Sequence, residues 1–205
     1  MGMWLYLKRL TDTSRERLLA DPKEITLCFD WPTASVSPPA PGGFFRKLFG
    51  KKTSVVENSP ERDPHFDEPE FDLEKSWDVL CFLFCDATWS SGAYEKSFPS
   101  NFLCMGKNTV NVPDNFLGYG PPWVFSSQEV KEIADFLEAQ TEEQLRIKYV
   151  PSALGEAEAY PSVWDDYEDE SLEEDWKYYF GVYLELKKFV RETANRNLAL
   201  LLYLA

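Results

Sequence analysis

Histidine is nearly missing from this chain. One stands among 205 residues, His65, which excludes any site built on several imidazoles. Basic residues are few beside acidic ones: 21 Lys plus Arg against 35 Asp plus Glu, a formal net charge of −14. A general nucleic-acid binder needs a basic face to displace counterions, so no nucleic-acid partner is expected. Long apolar runs are lacking too. The longest, Leu198 to Ala205, has eight residues, and a membrane-crossing helix needs about 20, so no stable membrane insertion is expected. There is no G-x-x-x-x-G-K-S/T loop and no G-x-S-x-G elbow. Gly118-Tyr119-Gly120 is only a G-x-G fragment, and it precedes Pro121-Pro122 rather than a helix.

Cysteine is sparse. Cys28, Cys81, Cys85 and Cys104 make four in the chain, far below the density of a disulfide scaffold. They sit in apolar stretches and read as buried, reduced thiols. Cys81 and Cys85 fall four apart on one helix face, but zinc would want two further ligands, and no C-x-x-C pair exists. No metal and no cofactor are expected. The opening residues put apolar before charge (Met1-Gly2-Met3-Trp4-Leu5-Tyr6-Leu7-Lys8-Arg9), the reverse of a secretory leader. Gly2 lacks the Ser or Thr at position 6 that myristoylation requires. The expected compartment is the cytoplasm.

With 44% hydrophobic residues, one domain of residues 1–205 with a real core is the natural reading. Residues 3–10 read as a central strand, and Thr13-Ser14-Arg15-Glu16 as a capping box opening a helix that Asp21-Pro22 stops. Ile25 to Phe29 is a short apolar run, helix or strand undecided. Between Pro32 and Pro69 lie seven of the fourteen prolines, a long loop or insertion. His65 stands in it, in Asp63-Pro64-His65-Phe66-Asp67, where nothing in the sequence would hold it rigid for catalysis. So does a basic, aromatic island, Phe44 to Lys52, either folding an apolar face onto the domain or meeting a partner or membrane surface.

Asp72 reads as an N-cap for a helix carrying Leu73, Trp77, Leu80, Cys81 and Phe84, and Asn101 to Gly106 as a strand. Ser126-Ser127-Gln128-Glu129 and Thr141-Glu142-Glu143-Gln144 are further capping boxes, the second opening a helix that Pro151 should close. Ser171-Leu172-Glu173-Glu174 is a fourth. It precedes the strongest pattern in the chain: Leu172, Trp176, Tyr179, Tyr183, Leu186 and Val190, widened by Phe180 and Leu184, which predicts a helix over 172–195. A buried strand, Leu198 to Leu204, follows. Apolar strands at both termini imply an α+β fold: a small mixed sheet containing both terminal strands, helices packed against it and a long C-terminal helix.

Two features carry functional weight. From Asp165 to Asp175, eight of eleven residues are acidic: Asp165, Asp166, Glu168, Asp169, Glu170, Glu173, Glu174 and Asp175. Such a run is a solvated face, a helix N-terminus favoured by the dipole, or a docking surface for a basic partner; the spacing of a calcium loop is absent. Aromatics make up 16%, several in turn-rich places: Trp31, Trp89, Tyr119, Trp123, Tyr160 and Trp164. These are core, or a groove using Tyr119, Trp123, Tyr160 and Trp164.

Several blocks in order resemble one family. They are Met1-Gly2-Met3 before a strand, Leu18 to Pro22, Asp72 to Trp77, Leu117 to Pro121, Ser126 to Ala134, Tyr160 to Asp165, then a long helix and a terminal Leu-Leu-Leu-Tyr-Leu strand. Together they are similar to the YfbM-like bacterial family, whose function is unknown. The resemblance covers the chain apart from the Pro-rich insertion. It implies a compact α+β domain of the bacterial cytoplasm and brings no catalytic residues. The chain departs from the family pattern at Pro122 and Trp123, where smaller residues are more usual.

Two functional expectations follow. The first is a non-catalytic, acidic protein-binding domain using Tyr160, Trp164, Asp165, Asp166, Glu168, Asp169 and Glu170. Its concrete form is a bacterial immunity protein neutralising a basic toxin, because opposite charge speeds encounter. The second is a small-molecule binder or enzyme with a pocket near Tyr119, Gly120, Trp123 and Trp164, where a carboxylate such as Asp165 would supply acid/base chemistry.

Overall fold

The structure, a computed structural model, describes residues 2–29, 62–104, 108–112, 119–164 and 171–205. The two terminal strands are its axis. Strand β1 (Leu5–Leu10) pairs with the C-terminal strand β5 (Ala199–Leu204) along its full length, from Leu5↔Leu204 to Leu10↔Ala199. Two short strands, β2 (Phe71–Asp72) and β3 (Asn108–Thr109), and β4 (Trp123–Phe125) complete the order β2-β1-β5-β4-β3. All four ladders are antiparallel, so the sheet is antiparallel rather than mixed.

Near-continuous apolar strands imply burial on both faces, and the pleat divides their side chains. Leu5, Leu7, Leu200, Leu202, Leu204, Trp123 and Phe125 enter the larger core. Leu10, Ala199, Leu201, Tyr203 and Val124 enter a smaller one on the other face. Helices α2 (Trp77–Cys85), α3 (Ser127–Ala139), α4 (Glu142–Lys148), α5 (Pro151–Glu156) and α6 (Leu172–Asn195) contribute to the larger core. The smaller is closed by Leu18 of α1 (Asp12–Ala20), by a 3-10 helix (Pro22–Cys28) and by Phe66. The run around Ile25 is thus helical of the tighter kind. Lys8 is buried on this second face, its Nζ 2.7 Å from Glu70 Oε1, while the Tyr203 hydroxyl donates to the other Glu70 oxygen.

Helix α6 covers 172–195 as the periodicity implies, with Trp176, Tyr179, Tyr183, Leu186 and Val190 buried. Leu184 does not widen the stripe; it is 48% exposed. Both capping boxes at Ser126/Glu129 and Thr141/Gln144 form reciprocally. Two others do not. Helix α1 begins earlier, with Thr11 accepting from Ser14 N, so Thr13 and Glu16 lie inside it. Ser171 itself has helical backbone angles (φ −89°, ψ −11°), not the extended ones from which a cap hydroxyl reaches back, and makes no cap bond.

Asp72 does not cap α2. It ends β2, and its carboxylate accepts from Glu74 N at 2.6 Å, closing a turn before the helix starts at Trp77. Pro151 opens α5 rather than closing α4, which ends at Lys148. Residues 101–104 form turns, not strand. Their backbone folds back on itself (Phe102 N to Pro99 O, Cys104 N to Asn101 O), leaving no ladder to join.

That turn also corrects the reading of the cysteines. Cys104 is carried onto α2 and forms a disulfide with Cys81, while Cys28 and Cys85 are buried free thiols. Cys85 does share a helix face with Cys81, the sulfurs 3.9 Å apart. Burial pushes the Cys28 thiol up to about 12. No helix among the described residues is long and apolar enough to cross a membrane. The island Phe44–Lys52 lies outside the described residues.

Candidate functional site

Antiparallel pairing sets the start of β1, the end of β5 and the start of β4 at one end of the sheet. Two loops close that end, residues 86–92 after α2 and 157–164 after α5. One side chain ties them together. Asp78, in the first turn of α2 and 1% exposed, accepts from Trp89 N at 2.7 Å and from Tyr160 N at 2.9 Å. Burial raises its pKa, and the two backbone donors pull the other way. Thr88 adds a second tie: its buried hydroxyl donates to Ala157 O at 2.5 Å. Having given its proton there, Thr88 Oγ1 accepts from Ser91, whose Oγ lies 2.9 Å away.

Aromatic rings run through the same end. Tyr160 stacks on Trp77 (centroids 6.2 Å), Trp77 meets the edge of Trp89 (6.2 Å) and Trp89 lies tilted against Trp123 (6.4 Å). The Tyr160 hydroxyl accepts from Met3 N at 3.0 Å. Trp123 is buried with its indole N–H on Phe102 O at 3.1 Å, and Trp164 is buried with its own on Ala159 O at 2.6 Å. Trp89 and Trp4 are each 39% exposed there, and Tyr119 37%.

The candidate residues named from the sequence therefore fall into four groups. Tyr160 is half-buried and linked by rings to Trp123. Trp123 and Trp164 are mainly core. Tyr119 and Gly120 (φ +101°) are exposed. Asp165, Asp166, Glu168, Asp169 and Glu170 lie outside the described residues.

Beside the tied loops opens a cleft of about 320 Å³, lined by Ser90, Gly155, Glu158, Ser162 and Trp164. Glu158 (φ +54°) and Ser162 (φ +61°) both hold left-handed backbone, where side chains other than glycine are strained. Among the described residues, none forms an ion pair with Glu158 and none bonds the hydroxyl of Ser90 or Ser162. No basic side chain among the described residues lines the cleft. Sequence reasoning missed Asp78, Thr88 and Glu158. Asp78 had a signal: it is the one acid in Trp77-Asp78-Val79-Leu80-Cys81, where the helix buries nearly every position.

His65 is not loosely held, contrary to the sequence expectation, and it lies at the opposite end of the sheet. Asp63 accepts from Thr11 N, Thr11 Oγ1 and His65 N at 2.7–2.8 Å. The His65 ring sits 2.6 Å from Glu68, which Arg196 also grips at 2.5 Å and Arg9 at 3.3 Å. Arg196, then burial and His65, set the Glu68 carboxyl at about 2, with burial alone opposing. A second groove, about 400 Å³, runs between Asp72–Glu74 and the Lys177, Tyr178, Gly181 and Glu185 face of α6. Among the described residues no group of three or more His, Cys, Asp or Glu could hold a metal ion.

The model of a domain of unknown function, DUF1877, matches residues 1–203. The chain belongs to the DUF1877 family. This DUF1877 chain is also similar in fold to a solved structure, a protein of unknown function, YfbM, from Escherichia coli. The two align over 98% of this chain and 99% of that one, at 16% identity and a TM-score of 0.63. No curated protein matches the DUF1877 chain.

Proposed function

We propose that this DUF1877 chain is a non-catalytic binding protein for a basic protein partner, engaged at the end of the sheet formed by residues 88–91 and 157–164. The observation that carries the reading is the cleft: among the described residues none engages its carboxylate or hydroxyls, and no cation lines it. Exposed Trp89 and Trp4 stand at the same end, and indoles of this kind anchor protein interfaces. In the sequence, the acidic stretch from Asp165 follows directly on Trp164. A catalytic reading has less support, because among the described residues no hydrogen bond joins Glu158 to the hydroxyl of Ser90 or Ser162, and the one histidine is bound to Glu68 and Arg196 elsewhere. The concrete form of the proposal is neutralisation of a basic toxin, as an immunity protein does.

The test is capture of a basic protein whose association slows as salt rises. Glu158→Lys and Trp89→Ala should each weaken that capture. A captured protein that is toxic alone and silent when co-expressed with this chain would support the immunity form. Capture indifferent to salt and to both substitutions would contradict the binding surface. A second reading, a small-molecule site, is favoured by the cleft's volume, which lies at the lower edge of ligand pockets. It predicts a small molecule that raises Tm and loses that effect in Glu158→Lys.

A further inference from the structure

We infer that the cleft lined by Ser90, Gly155, Glu158, Ser162 and Trp164 is a receptor for one arginine side chain of the partner; this rests on the reading of that end as a binding surface for a basic protein. Three observations converge on a guanidinium. The cleft holds one carboxylate, Glu158, with no counter-ion among the described residues, so a cation entering it is paired without displacing another. Two hydroxyl-bearing residues, Ser90 and Ser162, line the same space and add neutral acceptors, and neither hydroxyl is engaged by a described residue. Trp164 is the aromatic residue of the lining, nearly buried and with its indole N–H fixed on Ala159 O.

Acceptors spread around a space with an aromatic wall suit a planar group with five donors. An ammonium is smaller, has three donors and gives up its water less readily. A guanidinium can also lie against an indole. The walls are held in place: Asp78 fixes the amide of Trp89, one residue before Ser90, and the amide of Tyr160, two residues from both Glu158 and Ser162. Backbone strain at Glu158 and Ser162 is thus maintained by buried ties on either side of the cleft. The α6 groove suits a guanidinium less well. It is lined by Lys177 as well as by its acids, and its Tyr178 hydroxyl is already committed to Glu74 at 3.1 Å.

The probe is a capped pentapeptide, Gly-Gly-Arg-Gly-Gly, with lysine and neutral citrulline versions. Titration is followed by NMR at the Trp164 indole N–H and the amides of Glu158 and Ser162. The arginine peptide should give saturable shifts at these three signals, the lysine peptide should bind several-fold more weakly, and citrulline should bind roughly tenfold more weakly, the loss of a charge-assisted contact. Glu158→Gln should abolish the arginine–citrulline difference. Ser162→Gly should weaken arginine binding while leaving the fold intact, because φ +61° is a conformation glycine accepts freely.

Equal binding of arginine and citrulline, equal binding of arginine and lysine, or no saturable shift would each overturn the inference. Those outcomes leave the basic-partner reading to its own test, since a partner can be captured by charge without an arginine in this cleft. Conversely, specific arginine binding alongside salt-insensitive partner capture would keep the cleft's assignment and sink the wider reading.

Discussion

The two ends of the sheet organise polar groups in opposite ways. At the His65 end, charges answer charges: Glu68 is shared by His65, Arg196 and Arg9, and Arg9 also reaches Glu192 and Thr193 and lies 4.1 Å over the Phe189 ring. At the Trp89 end, one buried carboxylate answers two backbone amides, and no described residue engages the carboxylate or hydroxyls of the cleft beside it. The richer cluster is saturated and pins a turn, whereas the sparser one is rigid behind and open in front.

The largest effect expected from this contrast is at Asp78. Asp78→Ala leaves the amides of Trp89 and Tyr160 without their acceptor, and hydrogen bonds to a charged group contribute about 1.5–3 kcal/mol each. A loss of about 3 kcal/mol or more should lower Tm by roughly 6–12 °C for a chain of this size. Hydrogen exchange at Trp89 and Tyr160 should rise more than at the His65 end; uniform loosening would remove Asp78's special place. Thr88→Val comes next. It breaks the tie to Ala157 O, at about 1–2 kcal/mol for a buried hydroxyl bond, and should weaken binding in the cleft without disturbing the Glu68 network. Gly181→Ala has the opposite sign. A Cβ there meets nothing within 4 Å, so the substitution should stabilise α6 by up to about 1 kcal/mol. A fall in Tm on denaturation would mean the helix needs the glycine for a contact.

The smallest effect is at Glu68, whose ion pairs are partly exposed and worth about 1 kcal/mol or less at pH 7. Its signature is in the pH dependence. With its folded pKa held at about 2, below the unfolded value, Glu68 stabilises the protein above the unfolded pKa and loses that contribution as pH falls toward 2. Asp78 runs the other way. Its pKa is raised by burial, so its contribution is greatest below the unfolded value and diminishes as pH rises through the folded one. Acid unfolding curves of Glu68→Gln should therefore flatten between about pH 4.5 and 2 relative to the parent. An unchanged slope would mean the network does not carry the acid sensitivity.

What the sequence made legible follows from periodicity and local chemistry. The step of four and three from Leu172 to Val190 located α6 at both ends, and apolar runs at both termini implied their pairing. The boxes at Ser126 and Thr141 needed only residues three apart. Where local signals competed, they failed. Asp72 had a nearer amide at Glu74 and closed a turn, and Ser171 was already helical. The candidate site was only partly legible, because it is made by long-range closure. Asp78 and Tyr160 are 82 residues apart, Thr88 and Ala157 69, and Cys81 and Cys104 23. His65 looked loose because its partners, Thr11 through Asp63 and Arg196 through Glu68, are distant in sequence. The aromatics were half informative: Tyr160 and Trp123 do meet through Trp77 and Trp89, yet Trp123 and Trp164 mainly build core.

On the proposed function, binding capacity resides at the end held by Asp78, not wherever acidic residues are dense. A map of backbone amide shifts on titrating the arginine pentapeptide tests it most directly. Shifts should concentrate in residues 88–91 and 155–164 and be absent from the Glu68 network and the α6 groove. Shifts spread over every acidic surface, or centred on Asp72, Glu74 and Glu185, would contradict it.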